Sequence, residues 1–292
     1  MSRLLKTKDK TILKLDKPVV VLDLATNAIF ALNAIKKMLP YENILHISDF
    51  EKDSYEAHDA DVPLDISAIV ESVKKLIGRA LKYNPKLIIC ASDAIIEYGK
   101  EILDSINIPH VYITDVIIDE INKNFEYKNM AFFATQGIIE ANLYQKNFHY
   151  TRLYNLNADN ILNIINNFKM KTSESFNEIK IALFPMYKKD VDVIIPSIPN
   201  ILLFKTEIFE YTLEQNKDLI ILPVDYLLAE SAKNILSDNK NSKKRAKGCV
   251  YIVKKLDKNN KNIKEIKKAE CDLRNAYNKA LDVNFRFLYE EI

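Results

Sequence analysis

The stretch that decides the fold is Pro18–Asp23, which reads PVVVLD, together with the residues that follow it. A continuous apolar run of this length is typical of a strand that is buried on both faces of a sheet. Ala28–Met38 come next, with apolar residues at helical spacing: Ile29, Leu32, Ile35 and Met38. The two segments therefore predict a buried strand followed by a helix that covers it.

The same alternation continues along most of the chain. Further strands are predicted at Asn43–Ile47, Lys86–Ala91, Pro109–Ile113, Met130–Ala134, Ile179–Phe184, Val191–Ile195, Ile201–Phe204 and Asp218–Leu222. Helices are predicted at Ile66–Leu81, Ile95–Ile106, Ile138–Phe148, Asn157–Phe168 and Leu227–Leu236. Apolar strands separated by helices predict an α/β fold with mostly parallel sheets flanked by helices.

Length and composition narrow the class of protein. The 292 residues favour two domains over one, and 48% hydrophobic residues are enough for a packed core. A net charge of +2 provides no overall attraction to nucleic acid or membrane. We find neither a secretory signal nor an apolar run of about 18 residues, which a membrane span needs. The three cysteines have neither disulfide-framework nor metal-ligand spacing, so we expect a cytoplasmic protein with reduced thiols.

One segment, residues 238–268, differs from the rest in charge. It contains twelve Lys or Arg residues and three acidic residues. Such a segment could bind nucleic acid or an acidic partner. The alternative is a solvated loop and strand in a lysine-rich protein, which is favoured because Tyr251 is the only aromatic residue of the segment for base stacking.

The ends of the early strands resemble motifs of the glutamate racemases, in the aspartate/glutamate racemase superfamily. Val20–Ala28 read VVLDLATNA where the family has D-S-G-x-G-G, so Asp23 matches the family aspartate. Ala25, Asn27 and Ala28 stand at glycine positions, and Leu24 at the serine position. The resemblance implies that Asp23 contributes to a ligand site.

A second motif of the family, G-D-T-A-R-x-P-Y-G, is similar to Ser48–Glu56, which read SDFEKDSYE. Asp49 and Tyr55 match, and Lys52 keeps a positive charge at the arginine position. A further motif, G-V-I-[GA]-T-x-A-T, is similar to Ala131–Ile138, AFFATQGI, in which Thr135 matches; Tyr144 lies beyond it.

The two motifs that hold the catalytic cysteines of the family are the most informative. Lys86–Ala94 read KLIICASDA, which places Ser92 at the first cysteine position. Asp218–Leu228 read DLIILPVDYLL, which places Val224 at the second, followed by Asp225 and Tyr226. Cys90 lies two residues before Ser92, roughly 6.5 Å deeper along a strand, and is a poor replacement base.

The resemblance implies two pseudo-symmetric α/β lobes with a cleft between them. The first lobe comprises residues 1–98 with 212–292, and the second comprises 99–211. It also implies that no cofactor is needed, that the ligand is small and amino-acid-like, and that a homodimer is possible. The implied ligand-binding residues are Asp23, Lys52, Tyr55, Ser92, Thr135, Asp225 and Tyr226.

Family members move the α-proton of the substrate between two cysteines. A serine hydroxyl cannot replace a thiolate without a partner base, and valine has no exchangeable proton. No histidine falls within a site motif; the four are His46, His58, His110 and His149. We therefore predict a racemase-like protein without two-cysteine racemisation, retained to bind a small ligand or a protein.

Two alternatives stay open. Asp93 and Asp225 each follow a lost cysteine, and two carboxyls across a cleft could act as an acid–base pair if burial raised one pKa. Alternatively, each aspartate stabilises the start of the helix after it.

The third hypothesis is an interaction protein that uses the basic segment 238–268.

Overall fold

The computed structural model describes residues 17–24, 28–49, 66–167, 169–213, 219–237, 247–256, 271, 274–275 and 277–291. The strands are β1 (Val19–Leu24), β2 (Ile44–Asp49), β3 (Leu87–Cys90), β4 (His110–Tyr112), β5 (Lys128–Ala134), β6 (Tyr150–Asn157), β7 (Val193–Pro196), β8 (Ile220–Ile221), β9 (Val250–Leu256) and β10 (Phe285–Glu291).

The α-helices alternate with these strands. They are α1 (Ala31–Met38), α2 (Ile66–Leu81), α3 (Asp93–Ser105), α4 (Ile113–Asn124), α5 (Gln136–Ala141), α6 (Asp159–Asn166), α7 (Ser173–Leu183), α8 (Lys205–Thr212) and α9 (Val224–Leu236). Short 3-10 helices lie at Gln145–Asn147, Phe184–Met186 and Pro199–Phe204.

The strands form two separate parallel sheets. The first has the order β10-β9-β2-β1-β3-β4, and the second has the order β6-β5-β7-β8. Every strand pair in both sheets is parallel. All six residues of β1 are buried, as expected for a strand with helices on both faces of its sheet. The predicted α/β class with mostly parallel sheets is confirmed.

The limits of the two lobes stay a prediction. The first sheet takes its strands from residues 19–112 and 250–291, and the second from residues 128–221. Strand β4 pairs with β3 in the first sheet, although it lies within the predicted second lobe. Helix α9 follows β8 of the second sheet but packs against α1 and α4, so it joins the two halves.

Two predicted strands are wrong. Ile179–Phe184 belong mainly to α7, because Thr172 and Ser175 form a capping box that starts a helix there. Within it Ile179 and Leu183 are buried while Ile181 is exposed, which is helical periodicity. Residues 201–204 form the end of a 3-10 helix that has Pro199 in its first turn.

Strand β6 and helix α4 are among the elements that were not predicted. Strand β6 was missed because most of its side chains are exposed and its sequence, YTRLYNLN, has no apolar run. Helix α4 was missed because its first residue, Ile113, was assigned to the preceding strand, which in fact ends at Tyr112. Both errors come from using apolar runs as the main signal.

Candidate active site

The two positions that the sequence resemblance assigns to the family cysteines each lie where a strand is followed by a helix. Ser92 follows β3 and is the residue before α3, with an extended backbone and 7% exposure. Val224 follows β8 and is the first residue of α9, with no exposed surface. Cys90 is buried at the end of β3, and burial raises the pKa of its thiol well above the ordinary value. The thiol therefore stays protonated near neutral pH, where only a thiolate could act as the base.

Asp93 lies next to Ser92 and is the first residue of α3. Its carboxyl is buried, and its Oδ1 accepts a hydrogen bond from the hydroxyl of Tyr144. Burial raises the pKa of Asp93 to about 7, while the bonds from Tyr144 and from its own backbone N–H act in the opposite direction. The negative charge of Glu97 also raises it. Asp93 therefore changes charge near neutral pH, but one of its oxygens is already occupied.

Asp225 is the second residue of α9 and is 5% exposed. Burial raises its pKa, and the backbone N–H groups of Asp225 and Tyr226 lower it by bonding to the carboxylate. The positive charges of Lys205 and Lys37 also lower it. Contacts with first-turn N–H groups are those of a carboxylate at a helix start, where the helix dipole favours negative charge. Tyr226 itself is 46% exposed.

The other predicted ligand residues include Thr135, Lys52 and Tyr55. Thr135 is the residue before α5, and its side chain accepts a hydrogen bond from the backbone N–H of Ile138 at 3.4 Å. That contact is a helix cap. Lys52 and Tyr55 lie outside the described residues, so their predicted roles stay predictions.

Asp23 makes a contact that the sequence did not reveal. Its Oδ2 accepts a hydrogen bond from the backbone N–H of Ala28 at 2.8 Å and lies 3.0 Å from Nε2 of His46. Both side chains have no exposed surface. Burial raises the pKa of Asp23, whereas the hydrogen bond and charge of His46 lower it. His46 lies on β2 outside the compared motifs, and only the pairing of β1 with β2 reveals its position.

Three polar atoms near this pair have no hydrogen-bond partner in the described structure: Oδ1 of Asp23, Nδ1 of His46 and Oγ of Ser48. Ser48 pairs with Asp23 across β1 and β2, and His46 lies two residues before it. Side chains two residues apart on a strand point to the same face, so all three belong to one face of the first sheet. Buried polar atoms are rarely left without a partner.

The site residues fall into two groups. Asp23 near the end of β1 and His46 within β2 form one group, whereas Asp93 and Tyr144 bridge the first sheet and the segment after α5. Within the described residues, no group of three or more His, Cys, Asp or Glu side chains could hold a metal ion. None of the described helices is both long and apolar enough to cross a membrane.

Comparison with known proteins gives matches among solved structures. No protein-family model matches the sequence, and neither does any curated protein. A glutamate racemase isoform from Bacillus anthracis matches with a TM-score of 0.73 and 16% identity, over 95% of this chain and 98% of that chain. Glutamate racemase from Francisella tularensis in complex with D-glutamate gives 0.73 and 15%, over 94% and 97%.

An aspartate racemase from Picrophilus torridus matches with a TM-score of 0.52 and 17% identity, over 78% of this chain and 97% of that chain. Identities this low establish a shared fold, and activity has to be argued from the residues of the site. The chain therefore has the α/β fold of the glutamate and aspartate racemases.

Proposed function

We propose that this protein binds a small amino-acid-like ligand and does not racemise it by a two-thiol mechanism. Val224 is the observation that carries the second part. It is fully buried at the second cysteine position and offers no proton to a substrate. Ser92 at the first position would need a partner base to remove an α-proton. A reaction that requires an acid and a base on opposite faces of the substrate would therefore lack both.

The unpartnered atoms of Asp23, His46 and Ser48 support the binding part of the proposal. Asp23 and Ser48 lie near the carboxyl ends of neighbouring parallel strands, where ligands of α/β proteins commonly bind, and His46 lies two residues before Ser48. If Nε2–H of His46 donates to Asp23, then Nδ1 of His46 and Oδ1 of Asp23 are both acceptors. A ligand with several N–H donors, such as the ammonium group of an amino acid, would satisfy them.

Racemisation and binding should be measured on the same purified protein. We expect no D-enantiomer from L-glutamate or L-aspartate above the level of a Ser92→Ala control. In calorimetric titrations with D- and L-glutamate and D- and L-aspartate, we expect at least one to bind, and Asp23→Asn to weaken that binding at least tenfold. Turnover above the control would overturn the first part, and no binding by any of the four would overturn the second.

A divergent isomerase with Asp93 and Asp225 as acid and base is the second candidate. It is favoured by the pKa of Asp93, about 7, because general acids and bases work best near the ambient pH. Two observations speak against it. The hydroxyl of Tyr144 already donates a hydrogen bond to Asp93. The nearby charges also act in opposite directions, since Glu97 raises the pKa of Asp93 whereas lysines lower the pKa of Asp225. Deuterium exchange from solvent at the α-carbon of glutamate, lost in Asp93→Asn, would establish this candidate instead.

The interaction hypothesis concerns the basic segment, of which residues 238–246 and 257–268 lie outside the described residues. The described part includes β9, which pairs with both β2 and β10 and is therefore an interior strand. A salt-dependent association with DNA that is lost on neutralising Lys243, Lys244 and Arg245 would support it. No binding of DNA at low salt would rule out the nucleic-acid form of this hypothesis.

A further inference from the structure

The two sheets share one arrangement of four strands. The first sheet contains the order β2-β1-β3-β4, the second has the order β6-β5-β7-β8, and all of these strands are parallel. In each set the first strand along the chain is central, the second and third flank it, and the fourth lies beyond the third. Strand β7 of the second sheet therefore corresponds to β3 of the first, and β8 corresponds to β4.

This correspondence distinguishes Ser197 from Val224. Ser92 is the second residue after β3, and Ser197 is the first residue after β7. The N–H of Ser197 donates to the carbonyl of Phe133 on β5 at 3.0 Å, so Ser197 lies beside the central strand of its sheet. Val224 instead follows the outer strand β8 and is fully buried. By its place in the fold, Ser197 is therefore the counterpart of Ser92, to within one residue along the strand.

Two reciprocal hydrogen bonds place both of these strand ends where the two sheets meet. Asp93 begins the helix after β3 and accepts a hydrogen bond from the hydroxyl of Tyr144, which follows β5 and α5. Asn200 lies three residues after Ser197, and its Oδ1 accepts a hydrogen bond at 2.8 Å from the N–H of Phe30, which follows β1. The segments after β3 and β7 are therefore each bonded to the opposite half of the fold.

The hydroxyls of the two serines do not stabilise the helices that follow them. A serine before a helix commonly caps it, yet the side chain of Ser92 forms no capping bond with α3. Ser197 is 1% exposed, and its Oγ has no hydrogen-bond partner. Buried polar atoms are rarely left in this state, so the Ser197 hydroxyl has a hydrogen bond to offer that the fold itself does not use.

We propose that Ser197 is the contact of the second sheet with the ligand, and that its hydroxyl donates a hydrogen bond to a carboxylate of that ligand. This inference rests on the proposed function and adds a residue to the same site. The unpartnered acceptors of Asp23 and His46 on the first sheet suit an ammonium group, which leaves the carboxylate to the opposite sheet. A hydroxyl can donate to it without burying a further charge. Serine, like valine, provides no thiol, so this assignment leaves the proposed lack of two-thiol racemisation unchanged.

Calorimetric titration of the full chain with the D- and L-forms of glutamate and aspartate tests the proposal. For an amino acid that binds the wild type, Ser197→Ala should weaken binding about tenfold, because a hydrogen bond to a charged carboxylate is lost. An unchanged affinity in Ser197→Ala, or a larger loss in Val224→Ala than in Ser197→Ala, would overturn this inference and leave the proposed function standing. No binding of any of the four by the wild type would overturn both.

Thermal unfolding of the unliganded protein separates a ligand contact from a structural serine. Ser197→Ala removes a buried hydroxyl that has no partner, so the Tm should stay the same or rise. Ser175 is the matched control, because it is also 1% exposed but donates to the carbonyl of Thr172 at 2.8 Å. Ser175→Ala should lower the Tm and leave the affinity unchanged. A lower Tm in Ser197→Ala would show that the fold itself uses this hydroxyl, which contradicts the proposed role.

Discussion

The hydroxyl of Tyr144 donates a hydrogen bond to Asp93, and both side chains are buried. Asp93 begins a helix of the first sheet, while the ring of Tyr144 packs on Phe132 of the second sheet with centres 5.1 Å apart. The bond therefore connects the two halves of the fold beside Ser92, which the resemblance assigns to the first family cysteine. Phe30 makes a second such link, since its N–H donates to Oδ1 of Asn200 at 2.8 Å.

Tyr144→Phe should raise the pKa of Asp93 above about 7, because the tyrosine bond lowers it in the native protein. The variant also leaves a buried carboxyl oxygen without its partner, which should reduce the free energy of unfolding by about 1–3 kcal/mol. Carboxyl NMR titration and urea unfolding provide the two measurements. Tyr127→Phe, at a 66% exposed position, is the control and should change neither. An unchanged Asp93 pKa in Tyr144→Phe would contradict the assignment.

The stability of the protein should depend on pH through Asp93. Its pKa is about 7 in the folded state against an ordinary value of 3.8, so the folded state holds the proton more tightly. The free energy of unfolding should therefore fall as pH rises from about 4 to about 7, by up to about 4 kcal/mol. Asp93→Asn should remove this part of the pH dependence. Urea unfolding at pH 5 and pH 8 measures the change in the free energy of unfolding with pH. If that change is the same in Asp93→Asn and in the wild type, Asp93 is not its cause.

His46→Ala should destabilise the protein strongly. It leaves the buried Asp23 carboxyl without its side-chain partner, so we expect a loss of about 3–5 kcal/mol and a further rise in the pKa of Asp23. His149 provides a matched control, because it also lies 3.0 Å from a carboxylate, that of Glu126, but is exposed. His149→Ala should cost no more than about 1 kcal/mol. Similar losses in chemical denaturation for the two variants would show that burial of the Asp23 pair has no energetic effect.

Two glycines should respond oppositely to alanine. A Cβ at Gly248 would lie 2.0 Å from the backbone carbonyl oxygen of Glu42, so the backbone of one of the two residues must move. We therefore expect Gly248→Ala to lower the free energy of unfolding by about 2–4 kcal/mol. At Gly137, in helix α5, a Cβ meets nothing within 4 Å. Gly137→Ala should therefore stabilise the protein by about 0.5–1 kcal/mol. Thermal unfolding of both variants measures this, and a stable Gly248→Ala would contradict the close approach.

The apolar strands carried most of the fold prediction. Strands β1 and β3 follow directly from their apolar runs, because a strand that is buried on both faces requires apolar residues at every position. Helix α2 follows from its amphipathic periodicity. The edge strand β6 does not follow from it, because an edge needs only one neighbour and few buried side chains. Helix α7 was misread because Ile179, Ile181 and Leu183 fit a strand equally well as a pattern of letters.

The sequence alone determined the fold class and the series of strand ends, and it predicted Ser92 and Val224 at the two cysteine positions of the family. Each of these depends on residue type and local order along the chain. The tertiary structure alone decided that His46 meets Asp23 and that Tyr144 meets Asp93. Those partners are 23 and 51 residues apart, and strand pairing and the packing of two sheets against one another bring them within hydrogen-bonding distance, which no local pattern specifies.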